Sequence, residues 1–184
     1  MFQKIVHFLF LCVICMSAHA GNPFFGEYQN QIALNLGQGF DRGWIVAPPF
    51  RIVPYYTANF QYSQPATFFR LPARQSLNVS MNVGLDKGYE WDWRDFSIPI
   101  GFWSGDAALL YGKKWYSGAG AGMGFQAQEN DRIDSKLIFQ FKLFAGYKIS
   151  ERYNMELFMQ HFSNGSVNAN NSYLFWGLGM VYSF

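Results

Sequence analysis

Beyond residue 20 the chain has no cysteine and a single histidine, His161, because Cys12, Cys15, His7 and His19 all fall in the first twenty positions. A disulfide framework, a thiol nucleophile and a Cys/His metal cluster are thereby excluded from the remainder, and no metal or other cofactor is expected. Charge is scarce too, at 14% of residues, against roughly 25% in an ordinary soluble domain. Without Lys4, 13 basic residues face 12 acidic ones, a net +1, which argues against nucleic acid as a partner. After residue 20 there is also no long uninterrupted apolar segment, so a helical membrane protein is excluded.

The first twenty residues have the layout of a secretory signal. Lys4 is the positive start, Ile5 to Met16 is an uncharged apolar run, and Ala18-His19-Ala20 is a small-x-small cleavage site. Twelve apolar residues fall short of the roughly 20 that a spanning helix needs. Residues 1–20 therefore read as a signal peptide and 21–184 as the exported chain.

That exported chain is rich in aromatics, 20% over the full sequence, and its apolar residues recur at every second position. The alternation runs through Gln31 to Gln38, Tyr56 to Tyr62, Ser76 to Leu85, a weaker stretch near Asp106 to Gly112, Tyr116 to Gln128, Lys136 to Tyr147, Tyr153 to Ser163 and Ser172 to Phe184. Leu77, Val79, Met81, Val83 and Leu85 against Asn78, Ser80, Asn82 and Gly84 is the clearest case. Gly118, Gly120, Gly122 and Gly124 form the inner row of the fifth segment; their strict spacing of two is not that of a nucleotide-binding loop. Eight segments near the 9 to 11 residues of a tilted spanning strand predict an all-β fold, an eight-stranded antiparallel transmembrane β-barrel. An open sheet would leave backbone groups unpaired in hydrocarbon. The last strand ends in Phe184 and looks like the sorting signal of bacterial outer-membrane barrels, which implies that location.

An even strand number puts both termini in the periplasm. Loops Gly37 to Tyr55, Asp86 to Gly105, Glu129 to Ser135 and Asn164 to Asn171 then face outside. Turns at Gly112 to Trp115, Lys148 to Arg152 and, longer than usual, Ser63 to Gln75 face the periplasm. Tyr89 to Trp93 reads as an interfacial aromatic girdle, with a contact surface as the alternative. A barrel this small is filled by side chains, so no pore is expected.

Chemistry concentrates in Tyr153 to Gly165. Met155, Leu157, Met159, His161 and Ser163 share one face, and Asn154, Glu156, Phe158, Gln160 and Phe162 the other. A lipid-facing strand that ends in His-x-Ser sets a possible base and a possible nucleophile side by side. Polar groups cost little there, about 0 to 1 kcal/mol near the interface even for a charge, so the pair also fits a strand simply leaving the membrane.

His161-Phe162-Ser163-Asn164-Gly165, on the penultimate strand and followed by a short polar loop, resembles the PagL family of outer-membrane lipid A 3-O-deacylases. The resemblance implies a serine hydrolase site facing the outer leaflet, with lipid A, or lipopolysaccharide, as substrate. Ser163 would be the nucleophile on the 3-position ester and His161 its general base. Asn171, ten residues after His161, matches the family's oxyanion asparagine, and backbone N–H groups near Gly165 and Ser166, beside Asn164, would complete the cradle.

One member departs from the pattern. The family's triad glutamate, fourteen residues after the histidine, corresponds to Phe175, and no Asp or Glu occurs from residue 157 to the end. Asn170 or Asn171 is one substitute, as in Cys-His-Asn enzymes. Asp134 is the other, level with Ser163 to Ser166 if Tyr147 pairs near Tyr153. Two further functions stay open: a catalytically inactive barrel of structural or surface-interaction role, and a lipid A acyltransferase with an interior pocket. A second copy of the chain, in a homodimer, is a further conceivable partner.

Overall fold

Alternation becomes strand throughout the computed structural model, which describes residues 22–40, 52–85, 91–127, 129, 133, 135–164 and 172–184. In chain order these are β1 (Gln31–Phe40), β2 (Ile52–Phe68), β3 (Leu71–Leu85), β4 (Trp91–Ser97), β5 (Pro99–Tyr111), β6 (Trp115–Gln126), β7 (Leu137–Lys148), β8 (Tyr153–Ser163) and β9 (Ser172–Ser183). Every pairing is antiparallel, and the ring closes where β1 meets both β2 and β9. Closure removes the free edge that hydrocarbon would not tolerate.

Nine strands make eight staves. β3 pairs with β5 through Ala73 to Asn78 and with β4 through Asn82 to Leu85, so β4 and β5 are one stave interrupted at Ile98. The weak segment near Asp106 to Gly112 is thus the end of a much longer strand. The expected loop Asp86 to Gly105 shrinks accordingly, since Trp91 to Gly105 is strand except at Ile98; of the aromatic cluster, residues 91–93 lie on β4 and residues 89–90 lie outside the described residues. The expected long turn Ser63 to Gln75 is also corrected. β2 and β3 pair all the way to Phe68↔Leu71, leaving Phe69 and Arg70 at φ 50° and 67°. Both left-handed residues suit the inverse turn that matches strand twist.

Burial follows the predicted faces. Leu34, Leu77, Met123, Phe141 and Leu157 point out and are exposed on the isolated chain, while Asn35, Asn78, Gln126, Lys142 and Glu156 are buried in the lumen. The lumen is packed, with a polar wall and an aromatic one. On β1, β2, β3 and β5, Asn35 donates to Asn59 at 2.9 Å, Asn59 to Ser80 at 2.7 Å and Asn78 to Ser104 at 2.9 Å. Opposite them stand Phe144, Phe158, Phe162 and Phe175. The inner glycines make room for bulk: a side chain on Gly120 would meet the Asp106 carboxylate, one on Gly118 the Phe144 ring, and one on Gly146 the Tyr116 ring.

A charged cluster lies at the periplasmic end of the lumen. Arg74 reaches Glu156 with two hydrogen bonds of 2.6 and 2.8 Å and Asp106 with one of 2.9 Å. Tyr116 donates to Glu156 at 2.7 Å, and Lys142 stands 3.6 Å from Glu156 and 3.8 Å from Asp106. Below it the segment before β1 folds into the mouth. Asn22 Nδ2 donates to the Ala73 carbonyl at 2.6 Å, and the Phe24 carbonyl accepts from Gln31 at 2.7 Å and Asn154 at 3.0 Å. The Phe24 ring then lies 4.7 Å from the Arg74 guanidinium carbon, a cation–π contact that caps the cluster.

Candidate active site

β8 carries the pair from the sequence to the rim. Its burial alternates strictly: Met155 and Leu157 exposed, Met159, His161 and Ser163 half-buried on the same outer face, with Asn154, Glu156, Phe158, Gln160 and Phe162 inside. The strand starts at the short-turn end and finishes at the long-loop end, so His161 and Ser163 sit where it leaves the outer leaflet. Two residues apart on one pleat face, their Cα atoms are about 6.5 to 7 Å apart, within reach for a Ser hydroxyl and an imidazole.

Neighbouring strands define what surrounds them. Phe141 of β7 and Leu174 of β9 lie directly across from His161, and Phe139 and Ser172 directly across from Ser163. Lower on the same surface an apolar furrow of about 680 Å³ is lined by Leu34, Leu36, Met155, Leu157, Trp176 and Leu178, among others. It begins one outward position below the Leu174 and His161 pair, at Trp176, which is level with Met159.

The position counted as equivalent to the triad glutamate lies elsewhere. Phe175 is across from Gln160 and fully buried in the lumen, its ring 6.3 Å from that of Phe162. The reason is parity: fourteen residues from His161, through this loop, lands on the inner face. No side chain at 175 would reach His161, so counting along the chain does not find the equivalent site. The outward position across from the histidine is Leu174, and it too is not an acid.

Of the other predicted residues, Asn164 follows Ser163 directly and is half-buried. Gly165, Ser166, Asn170, Asn171 and Asp134 lie outside the described residues. Tyr147 pairs with Met155, two positions from Tyr153. Glu156 points into the lumen as expected and belongs to the Arg74 cluster. Among the described residues there is no group of three His, Cys, Asp or Glu side chains arranged to hold a metal ion.

Arg74, Asp106 and Ser172 escaped the sequence reading. Arg74 shares the inner parity of Ser76 but fell in the presumed turn, Asp106 sat in the weakest segment, and Ser172 shares the outer parity of Leu174.

Closed strands, an apolar exterior, short turns at one end and longer loops at the other define an outer-membrane β-barrel of eight staves. The neisserial surface protein A crystal structure is similar at a TM-score of 0.59 and 10% identity, covering 84% of this chain and 97% of that one. The crystal structure of the outer-membrane enzyme PagL aligns at 0.49 and 12% identity, over 84% and 99%. No curated protein sequence matches the chain. The family model for lipid A 3-O-deacylase (PagL) matches residues 32–182, nearly the whole barrel. The chain belongs to that family.

Proposed function

We propose that this protein hydrolyses the ester-linked acyl chain at the 3 position of lipid A in the outer leaflet, as a serine esterase needing neither metal nor cofactor. The observation that carries the reading is the shared outer face of His161 and Ser163 at the outer rim of a barrel whose family acts on that ester. The substrate arrives by lateral diffusion. Its glucosamine headgroup stays at the rim while the acyl chain runs down past Leu174 and Trp176 into the furrow along Met155 and Leu157.

His161 takes the Ser163 hydroxyl proton as Oγ attacks the carbonyl carbon. The resulting oxyanion accepts hydrogen bonds from the region of Asn164, Gly165 and Asn171. The tetrahedral adduct expels the 3-oxygen of the sugar, which leaves with the proton from the imidazolium. Water, deprotonated by His161, then attacks the acyl-serine and releases the fatty acid. Asp134 or Asn171 orients the imidazole in place of the family's glutamate. Purified, folded protein incubated with lipid A in detergent plus a metal chelator should release one 3-hydroxy fatty acid; intact lipid A across several detergents and pH values would refute it.

The absence of any acid after Glu156 favours a second reading, an inactive barrel that kept the scaffold. Losing the orienting acid costs on the order of 10⁴ in kcat in other serine hydrolases. A homodimer is no part of either reading.

A further inference from the structure

We propose that the Ser172 hydroxyl is a catalytic hydrogen-bond donor to the oxyanion formed on the Ser163 acyl carbon. The inference deepens the esterase reading and rests on it. Four side chains lie directly across from His161 and Ser163: Phe139, Phe141, Leu174 and Ser172. Three are apolar, and Ser172 carries the one hydroxyl, opposite the nucleophile and not opposite the base.

That placement decides the role. Directly opposed residues in an antiparallel pair have Cβ atoms about 4.5 to 5.5 Å apart, and diagonal ones about 7 to 8 Å. Ser172 is directly opposed to Ser163 but diagonal to His161. From the diagonal position the short hydroxyl stands farther from the imidazole than from the acyl carbon on Ser163. The opposed position sets it beside the acyl group carried by Ser163, where an oxyanion donor, about 2.7 to 3.1 Å from the charged oxygen, is required. Ser172 is half-buried on the outer face, at the edge of hydrocarbon, where a hydrogen bond to developing charge is stronger than in water.

In the acylation step, the Oγ–C bond forms as the carbonyl π pair moves onto oxygen, and the Ser163 proton passes to His161. Ser172 keeps its own proton and donates a hydrogen bond to the new oxyanion. When the pair returns, the bond to the sugar oxygen breaks and that oxygen takes the proton from His161. Ser172 would serve again in deacylation, when water adds to the same carbon.

The test compares wild type, Ser172→Ala and Ser172→Thr on lipid A, and on an acyl ester beside its thionoester, whose sulfur accepts hydrogen bonds poorly. Heat-modifiable migration on a gel reports barrel folding for each. The alanine variant should fold, keep its KM within a few-fold, lose about 10²-fold in kcat as other oxyanion donors do, and show a reduced preference for the ester over the thionoester. Threonine, which retains the hydroxyl, should recover most of the rate. Active wild type with an equally active, equally selective alanine variant would overturn the role of Ser172 alone. A folded wild type that hydrolyses neither lipid A nor ester would overturn the esterase reading, and this role with it.

Discussion

Arg74 and Glu156 meet fork to fork across the lumen, Nη1 to Oε1 at 2.6 Å and Nη2 to Oε2 at 2.8 Å. They come from β3 and β8, which are not neighbours in the ring. The contact therefore braces the strand that carries His161 and Ser163 against the far wall. Removing one partner of a buried pair leaves an uncompensated charge, at about 3 to 5 kcal/mol. Glu156→Ala should lower the free energy of unfolding in urea by that amount. Arg74→Met combined with Glu156→Leu should cost much less, because neither charge is stranded. Equal losses in the single and the double variant would show that the pair is not what braces the wall.

Phe24 should matter to stability although it precedes the first strand. Its ring covers Arg74 and packs 4.9 Å from the Tyr116 ring. Phe24→Ala should destabilise the barrel by about 3 to 5 kcal/mol, as for other buried aromatics, and admit water to the cluster. An unchanged unfolding midpoint would contradict the plug.

Positions 174 and 175 make opposite predictions for a restored acid. Leu174→Glu places a carboxylate on the outer face directly across from His161, where rim position keeps its cost to about 1 kcal/mol or less. It should raise kcat. Phe175→Glu buries an unpaired charge among aromatic rings, so it should destabilise the fold and leave the rate no higher. Rescue by glutamate at 175 and not at 174 would show that the strand parity at the site is wrong.

A histidine base works only as neutral imidazole. Activity should fall as pH is lowered and the imidazole takes up a proton, with log kcat/KM approaching a slope of one on the acid side. A flat profile from pH 5 to 8 would remove His161 from the base role.

Much of this was legible in the residues. Period-two alternation fixed the outer and inner faces of β6 through β9, and the spacing of His161 and Ser163 fixed their common face, because a pleat permits nothing else. Strand ends were harder. Phe69 and Arg70 carry none of the Gly or Asn that advertise a two-residue turn, so β2 and β3 extend several residues beyond their readable pattern and take Arg74 with them. The stave of β4 and β5 was obscured by Pro99 and the break at Ile98. Arg74 was not paired with Glu156 because it fell in the presumed turn, although the third and seventh staves of an eight-membered ring face each other. Phe175 shows a related limit: a count along the chain does not say which face of the next strand a position will occupy.

The most direct measurement is mass spectrometry of lipid A from cells expressing the chain, cells expressing Ser163→Ala and cells with neither, with outer-membrane insertion of both proteins verified. The account predicts loss of one 3-hydroxy fatty acid from lipid A only where the serine is intact. The same mass loss from the alanine variant, or lipid A unchanged by the folded wild-type protein, would contradict it.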